Sequence, residues 1–419
     1  MGRVFVAFVF FIALGSFCFS QVEQPAHKDQ PAKPFGHSLE RYKNKKSEKR
    51  PPKKPSVTAS TEAIKSNADD ETIRVNTELV LANYLVTDQK GQIVYGLNAD
   101  DFQVSENDVR QDVEVIRTGQ VNEFPRTIVL ILEISIADKH RLSKSFTAAR
   151  KLIAKLGPND RIGIVTTDQR LRLPLTLDKQ LAQNILSQLS SHADSDESWM
   201  AYNADFGTLL AVLNEMFSNA DGERIVICQC DGSEASWLKR DGSFRVLPRA
   251  AIEASGAWRY SKNRAKLFSE YSYADVSQSA IFSRVSIYPI VPGIRFLGFD
   301  EKERLRRSRL VWNSLIEANK WRDYQVTQEN LYARMESETL GQEMLKSLAD
   351  LSGGNMGFIE KAEDADRVYD ELFQVMEARY LIGYYPKEPG KPGERRRIKV
   401  EVKGRPDLTV HGRTEYIVR

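Results

Sequence analysis

Thr127-Ile-Val-Leu-Ile-Leu132 is an unbroken β-prone run that ends in Glu133-Ile-Ser-Ile-Ala137. It lacks the polar alternation of a strand with one wet face, so it reads as a strand covered on both sides, as in a parallel sheet. The same logic extends downstream. Residues 161–166, 224–230 and 285–291 read as further buried strands, with short ones at 171–174 and 356–359. Residues 141–156, 179–189, 208–217, 340–351 and 365–378 have helical spacing, the last amphipathic. Strands alternating with helices predict the α/β class: a doubly wound, mostly parallel sheet over residues 121–379.

The flanks are different. From residue 72 short β-rich runs around Leu79, Val86, Ile93, Phe102 and Val113 are separated by turn signals such as Asp88-Gln-Lys-Gly91, and the pattern returns after Tyr380. Ile398, Val400 and Val402 alternate with charged residues, as a half-wet strand requires. Neither segment holds enough strands to stand alone, so 72–120 and 380–419 are expected to meet in one small β domain. Two insertions, at about 236–282 and 299–338, interrupt the α/β pattern. The first carries Trp237, Trp258, Tyr260, Tyr271 and Tyr273; the second is charged and helical, with Trp312 and Trp321. Both follow strands at the sheet's carboxyl end, where they either shape a partner surface or pack their aromatics on each other.

At the N-terminus Arg3 precedes an apolar run, 4–14, too short to span a bilayer. It reads as a secretory signal peptide, residues 1–20, cleaved after Ser20. Phe17 before Cys18 argues against lipidation. Export implies an oxidising compartment, which raises the question of Cys228 and Cys230. In an extended strand their Cα atoms stand roughly 6.6 Å apart, beyond the usual bridging distance, so buried free thiols are expected. Residues 21–71 form a Lys/Pro-rich tract with little apolar content, expected to be a disordered tether. Its basic run, Arg41 to Lys54, suits either electrostatic contact with an acidic envelope or simple solvation. The whole chain carries a formal charge of only +3, well mixed, which points away from nucleic acid. No transmembrane helix is expected in the mature chain.

In a parallel sheet the loops leaving the carboxyl ends converge. Here they bring together Glu133 and Ser135, Thr208 at a helix start, and Asp231-Gly232-Ser233 after the strand 224–230. Two carboxylates and two hydroxyls make an all-oxygen set suited to Mg²⁺, or to Mn²⁺ or Ca²⁺. These residues resemble the metal-ion-dependent adhesion site of von Willebrand factor A domains, which has Asp-x-Ser-x-Ser after the first strand, a later Thr, and an Asp after the central strand. Glu133 replaces the first Asp and Ala137 the second Ser, so the resemblance implies a degenerate site. It places Ala137, Asp138, Gly207, Gly232 and Ser233 on a binding face. The alternative is that Ser135 and Thr208 cap loops and helix starts by hydrogen bonding to backbone N–H groups and that Asp231-Gly232 is a turn.

The stretches Val86-Thr-Asp-Gln-Lys-Gly-Gln-Ile-Val94, Leu348-Ala-Asp-Leu-Ser-Gly-Gly354 and Tyr380-Leu-Ile-Gly-Tyr-Tyr-Pro386 further resemble the secreted VWFA-related domain family common in Acidobacteria. The resemblance covers about 73–417 and implies the architecture rather than a role. No nucleophile elbow, phosphate loop or His-Glu-x-x-His pair occurs, and of the histidines only His140 falls near the carboxyl-end loops, so no catalytic residue is expected. The expected function is a secreted or periplasmic binding module for a protein or glycan partner. A metal-free structural component of an envelope assembly is the alternative, and a hydrolase the weakest reading.

Overall fold

The computed structural model describes residues 34–43, 79–118, 125–134, 139–194, 204–218, 220, 222–254, 269–318 and 324–419. In chain order these form α1 (Glu40–Lys43), β1 (Val80–Thr87), β2 (Phe102–Glu106), β3 (Val109–Gln111), β4 (Glu114–Thr118), β5 (Arg126–Leu132), α2 (Lys139–Ala154), β6 (Arg161–Thr166), β7 (Arg170–Thr176), α3 (Lys179–Asp194) and α4 (Asp205–Glu215). There follow β8 (Glu223–Gln229), α5 (Arg249–Ala254), α6 (Tyr273–Ser283), β9 (Ser286–Val291), α7 (Glu301–Ala318), α8 (Gln328–Ser352), β10 (Gly357–Phe358), α9 (Asp364–Glu377), β11 (Tyr380–Tyr384), β12 (Arg395–Val402), β13 (Thr409–Gly412) and β14 (Glu415–Ile417).

Successive residues of a strand face opposite ways, and in β5 and β8 both sets are apolar. Val129, Ile131, Val226 and Cys228 pack beneath α4, α6 and α8, while Ile128, Leu130, Ile225 and Ile227 pack beneath α2, α3 and α9. The resulting sheet has the order β10-β9-β8-β5-β6-β7, parallel except for the edge strand β7. Counted within this sheet the order is 3-2-1-4-5-6, the doubly wound arrangement, whose direction of winding reverses between β5 and β8. At the amino end, buried Arg126 donates to both carboxylate oxygens of Asp160, at 2.6–3.1 Å, and to Glu377 at the end of α9.

The two flanks close on each other as expected. One sheet runs β13-β1-β11-β4, in which strands from after and before the α/β core alternate, and another runs β14-β12-β2-β3, in which the two flanks meet at the β12/β2 pair. Val80, Tyr84, Phe102 and Val104 share a core with Tyr380, Ile382, Ile398 and Tyr416. Glu106 is buried there, paired with Arg396 and accepting hydrogen bonds from the hydroxyls of Tyr384 (2.7 Å) and Tyr416 (2.8 Å).

Three details differ from the sequence reading. Residues 35–43, assigned to the disordered tether, are ordered: Leu39 and Tyr42 are buried, and the Glu215 carboxylate accepts from the Gly36 and Ser38 N–H groups at 2.9 and 2.8 Å. Helix α6 lies within the stretch assigned to the first insertion, yet it packs on α4 as the crossover between β8 and β9. It starts at a reciprocal Ser272/Asp275 cap. Finally, α8 runs unbroken across the expected insertion boundary at 338, from its Thr327/Asn330 cap to a left-handed Gly353. Residues 1–33, where the signal peptide was expected, residues 44–78, and the aromatics Trp258, Tyr260 and Trp321 lie outside the described residues.

Candidate functional site

Three strand ends build the carboxyl-end centre. Leu132 leads into Glu133, whose N–H donates to the Gln229 carbonyl of β8 at 2.9 Å. At the end of β6, Thr167 donates its N–H to Leu132 and accepts from Ala204, which sets the start of α4 against the β5 and β6 termini. From β8 the chain passes through Cys230 to Asp231, which accepts the Ser233 N–H at 2.8 Å around a left-handed Gly232 (φ 74°).

This geometry gathers carboxyl groups. Glu133 and Asp205 are 2 % and 1 % exposed, and neither Asp205 oxygen has a hydrogen-bond partner among the described residues. Burial holds the Asp205 carboxyl well above the usual carboxylate range, and nearby Asp231 and Glu133 push it further up. Glu234 is also buried and raised by burial, but it is richly paired: it accepts from the Phe206 and Gly207 N–H groups at 2.7 and 3.1 Å, from Ser269 Oγ at 2.9 Å and from the Tyr271 hydroxyl. The N–H donors at the start of α4, an ordinary anion position, are therefore filled from within.

The candidate residues are distributed unevenly. Glu133 and Asp231 come together near Asp205. Thr208 is fully buried and its hydroxyl donates to the Thr167 carbonyl at 3.4 Å. Ser135, Ala137 and Asp138 lie outside the described residues. Gly207 and Gly232 do not belong to an open face: a Cβ on Gly207 would stand 2.1 Å from the Tyr271 hydroxyl, and one on Gly232 would stand 2.9 Å from the Gly341 main chain. Tyr271, from the first stretch read as an insertion, covers Gly207, and α8 covers Gly232. Glu338 of α8, half-buried and raised by desolvation, adds another acidic group near Asp231, offset by Arg334 at 2.9 Å. Of the described aromatics in the stretches read as insertions, Trp312 stacks on Tyr324 at 5.3 Å and Phe244 meets Tyr273 edge-on at 4.7 Å, whereas Phe282 and Tyr332 are exposed.

Asp205 and Glu234 were not singled out from the sequence. An acidic residue in a helix's first turn is ordinary, and Asp205, three positions before Thr208, carries no other local mark. Within the described residues, no three His, Cys, Asp or Glu side chains are grouped as a metal site.

The doubly wound order, the antiparallel edge and the loop cluster over the switch point settle the core's type. It is a doubly wound, Rossmann-like α/β fold, the arrangement expected of a von Willebrand factor A-type core. No protein-family model and no curated protein matches the chain. Similar solved structures include an aerotolerance-related membrane protein from Bacteroides fragilis (14 % identity, 60 % of this chain and 98 % of that one, TM-score 0.31). The vWF domain of the type V pili tip protein Mfa5 from Porphyromonas gingivalis is 10 % identical over 60 % of this chain and 95 % of its own, with TM-score 0.32. A von Willebrand factor type A protein from Catenulispora acidiphila is 10 % identical over 82 % and 74 %, again at 0.32. No described helix is long and apolar enough to cross a membrane.

Proposed function

We propose that the chain is a secreted or periplasmic binding module, not an enzyme, that engages a protein or glycan partner at the carboxyl end of its doubly wound sheet. The observation that carries this reading is Asp205: a buried carboxyl with no hydrogen-bond partner among the described residues, set beside Glu133 and Asp231 where β5 and β8 diverge. Such a group costs stability unless a proton, an ion or a ligand completes it. A divalent cation, Mg²⁺ or else Mn²⁺ or Ca²⁺, suits this oxygen chemistry. Glu133, Asp205 and Asp231 are the residues that would hold it, with Ser135 as a further oxygen donor. Of the histidines, His37 pairs with Glu215 and His411 contacts Thr87 at 3.1 Å, both away from this centre.

Calorimetric titration of Mg²⁺ into the wild type, Asp205→Asn and Ala137→Ser tests the ion. The restored hydroxyl should tighten binding and the amide should abolish it. Capture of partners from envelope or culture fluid, with and without chelator, tests the contact. A metal-free scaffold in an envelope assembly is the second reading, supported by Glu234, which already satisfies the helix start that an incoming acidic group would need. Heat in none of the three titrations, with partners retained in chelator, would favour that scaffold. The basic tether is proposed to contact the acidic envelope.

A further inference from the structure

Cys228 and Cys230 stand at the carboxyl end of the central strand with only Gln229 between them. Both are fully buried and unbridged, as expected from the sequence, yet their sulfurs lie 2.6 Å apart. Two unbonded sulfurs do not rest at that separation, which exceeds the bonded length by only about 0.6 Å. The expectation of a wider gap treated both residues as strand members. Only Cys228 is one: it sits opposite Ile131 of β5 and Pro289 of β9, whereas Cys230 lies just beyond β8. There its N–H donates to Ile290 at 3.1 Å and its sulfur approaches the Cys228 carbonyl oxygen at 3.7 Å. Pairing on both sides of β8 fixes the two backbones, and helices α4, α6 and α8 close over the sulfurs.

We propose that Cys228 and Cys230 are a disulfide-forming pair, joined across Gln229 while the chain folds, and that the bond pins the end of the central strand from which Asp231 departs. The oxidant is a small-molecule disulfide or the disulfide of a thiol oxidoreductase. One cysteine thiolate attacks the donor disulfide, forming a mixed disulfide and releasing one donor thiol. The second cysteine thiolate attacks the protein sulfur of that mixed disulfide, forming the Cys228–Cys230 bond and releasing the second donor thiol. Two electrons pass from the pair to the donor, and the two cysteine protons are matched by the two thiols released. Because both sulfurs are buried in the folded chain, exchange takes place before β8 is covered and is blocked afterwards.

The full chain is refolded from urea in glutathione buffers, trapped with iodoacetamide in denaturant, and cleaved with trypsin. The peptide 225–239 carries both cysteines and excludes Cys18. It should emerge without alkyl groups and lighter by two hydrogens than the dithiol. At the same glutathione ratio, chains held in urea should show an equilibrium constant for bond formation about tenfold or more lower, since the fold presents the two sulfurs to each other. Once refolded, the oxidised protein should keep the bond in dithiothreitol and lose it when urea is added. A doubly alkylated peptide after oxidative refolding, a glutathione adduct in place of the internal bond, or equal oxidation in folded and urea-held chains would overturn the proposal.

Discussion

The main chains of Gly232 and Gly341 touch: a Cβ on Gly341 would come within 2.6 Å of the Gly232 carbonyl oxygen. This contact seats α8 on the loop that carries Asp231. Gly341→Ala should displace the helix and cost about 1–3 kcal/mol, and Gly232→Ala should cost more because its left-handed φ adds roughly 1–2 kcal/mol. Urea denaturation measures both; two silent substitutions would mean that α8 does not rest on this loop.

Asp205 ties stability to pH. Its carboxyl is raised in the folded chain, so between the unfolded value near 4 and the raised folded value the native state holds a proton that the unfolded state has lost. Stability then falls as pH rises above about 4, by up to about 1.4 kcal/mol per pH unit for one such group. Glu234 and Glu338, also raised by burial, act in the same direction. In chelator, Asp205→Asn should flatten this slope and be more stable than the wild type at neutral pH. Urea midpoints from acid to neutral pH read the slope, and parallel curves for the two proteins would count against the assignment.

Glu215 anchors the ordered start of the chain through the Gly36 and Ser38 N–H groups. Hydrogen bonds to a charged group contribute roughly 1.5–3 kcal/mol, so Glu215→Ala should release this segment and speed tryptic cleavage at Arg41 and Lys43 on the order of tenfold. Timed digestion followed by mass spectrometry tests it. An unchanged rate would mean that Leu39 and Tyr42 hold the segment unaided.

Asp160 neutralises Arg126, which is 1 % exposed. Asp160→Ala leaves a buried guanidinium with Glu377 as its remaining carboxylate and should cost about 3–5 kcal/mol. Asp160→Asn, which keeps the acceptor to the Arg126 N–H, should cost less. Equal losses for the two would place the effect in the backbone contact instead of the charge.

The buried strands were legible because both faces of β5, β8 and β9 are apolar, a pattern that needs no partner to be recognised. The carboxyl-end centre was legible only where a strand ends in an acidic residue, as at Glu133 and Asp231. Asp205 and Glu234 escaped because their meaning depends on what covers them: Tyr271 and α8 arrive from distant parts of the chain, and only that burial turns common surface carboxylates into strained or capping ones. The ordered segment in the tether had a signal, Phe35, Leu39 and Tyr42 at helical spacing, that the surrounding lysines and prolines masked. Helix α6 had one too, the Ser272 to Asp275 cap, hidden in a stretch read as aromatic insertion.

The interleaving of β1 and β2 with β11, β12 and β13 sets a delay on biogenesis. At synthesis rates of ~5–20 residues per second, the early strands wait on the order of tens of seconds before their partners are translated. During that interval β1 offers unpaired edges on both sides, where it will later meet β11 and β13. Any stall in translation before Tyr380 leaves a product in which β2 and β3 can still pair but β1 lacks both of its sheet neighbours.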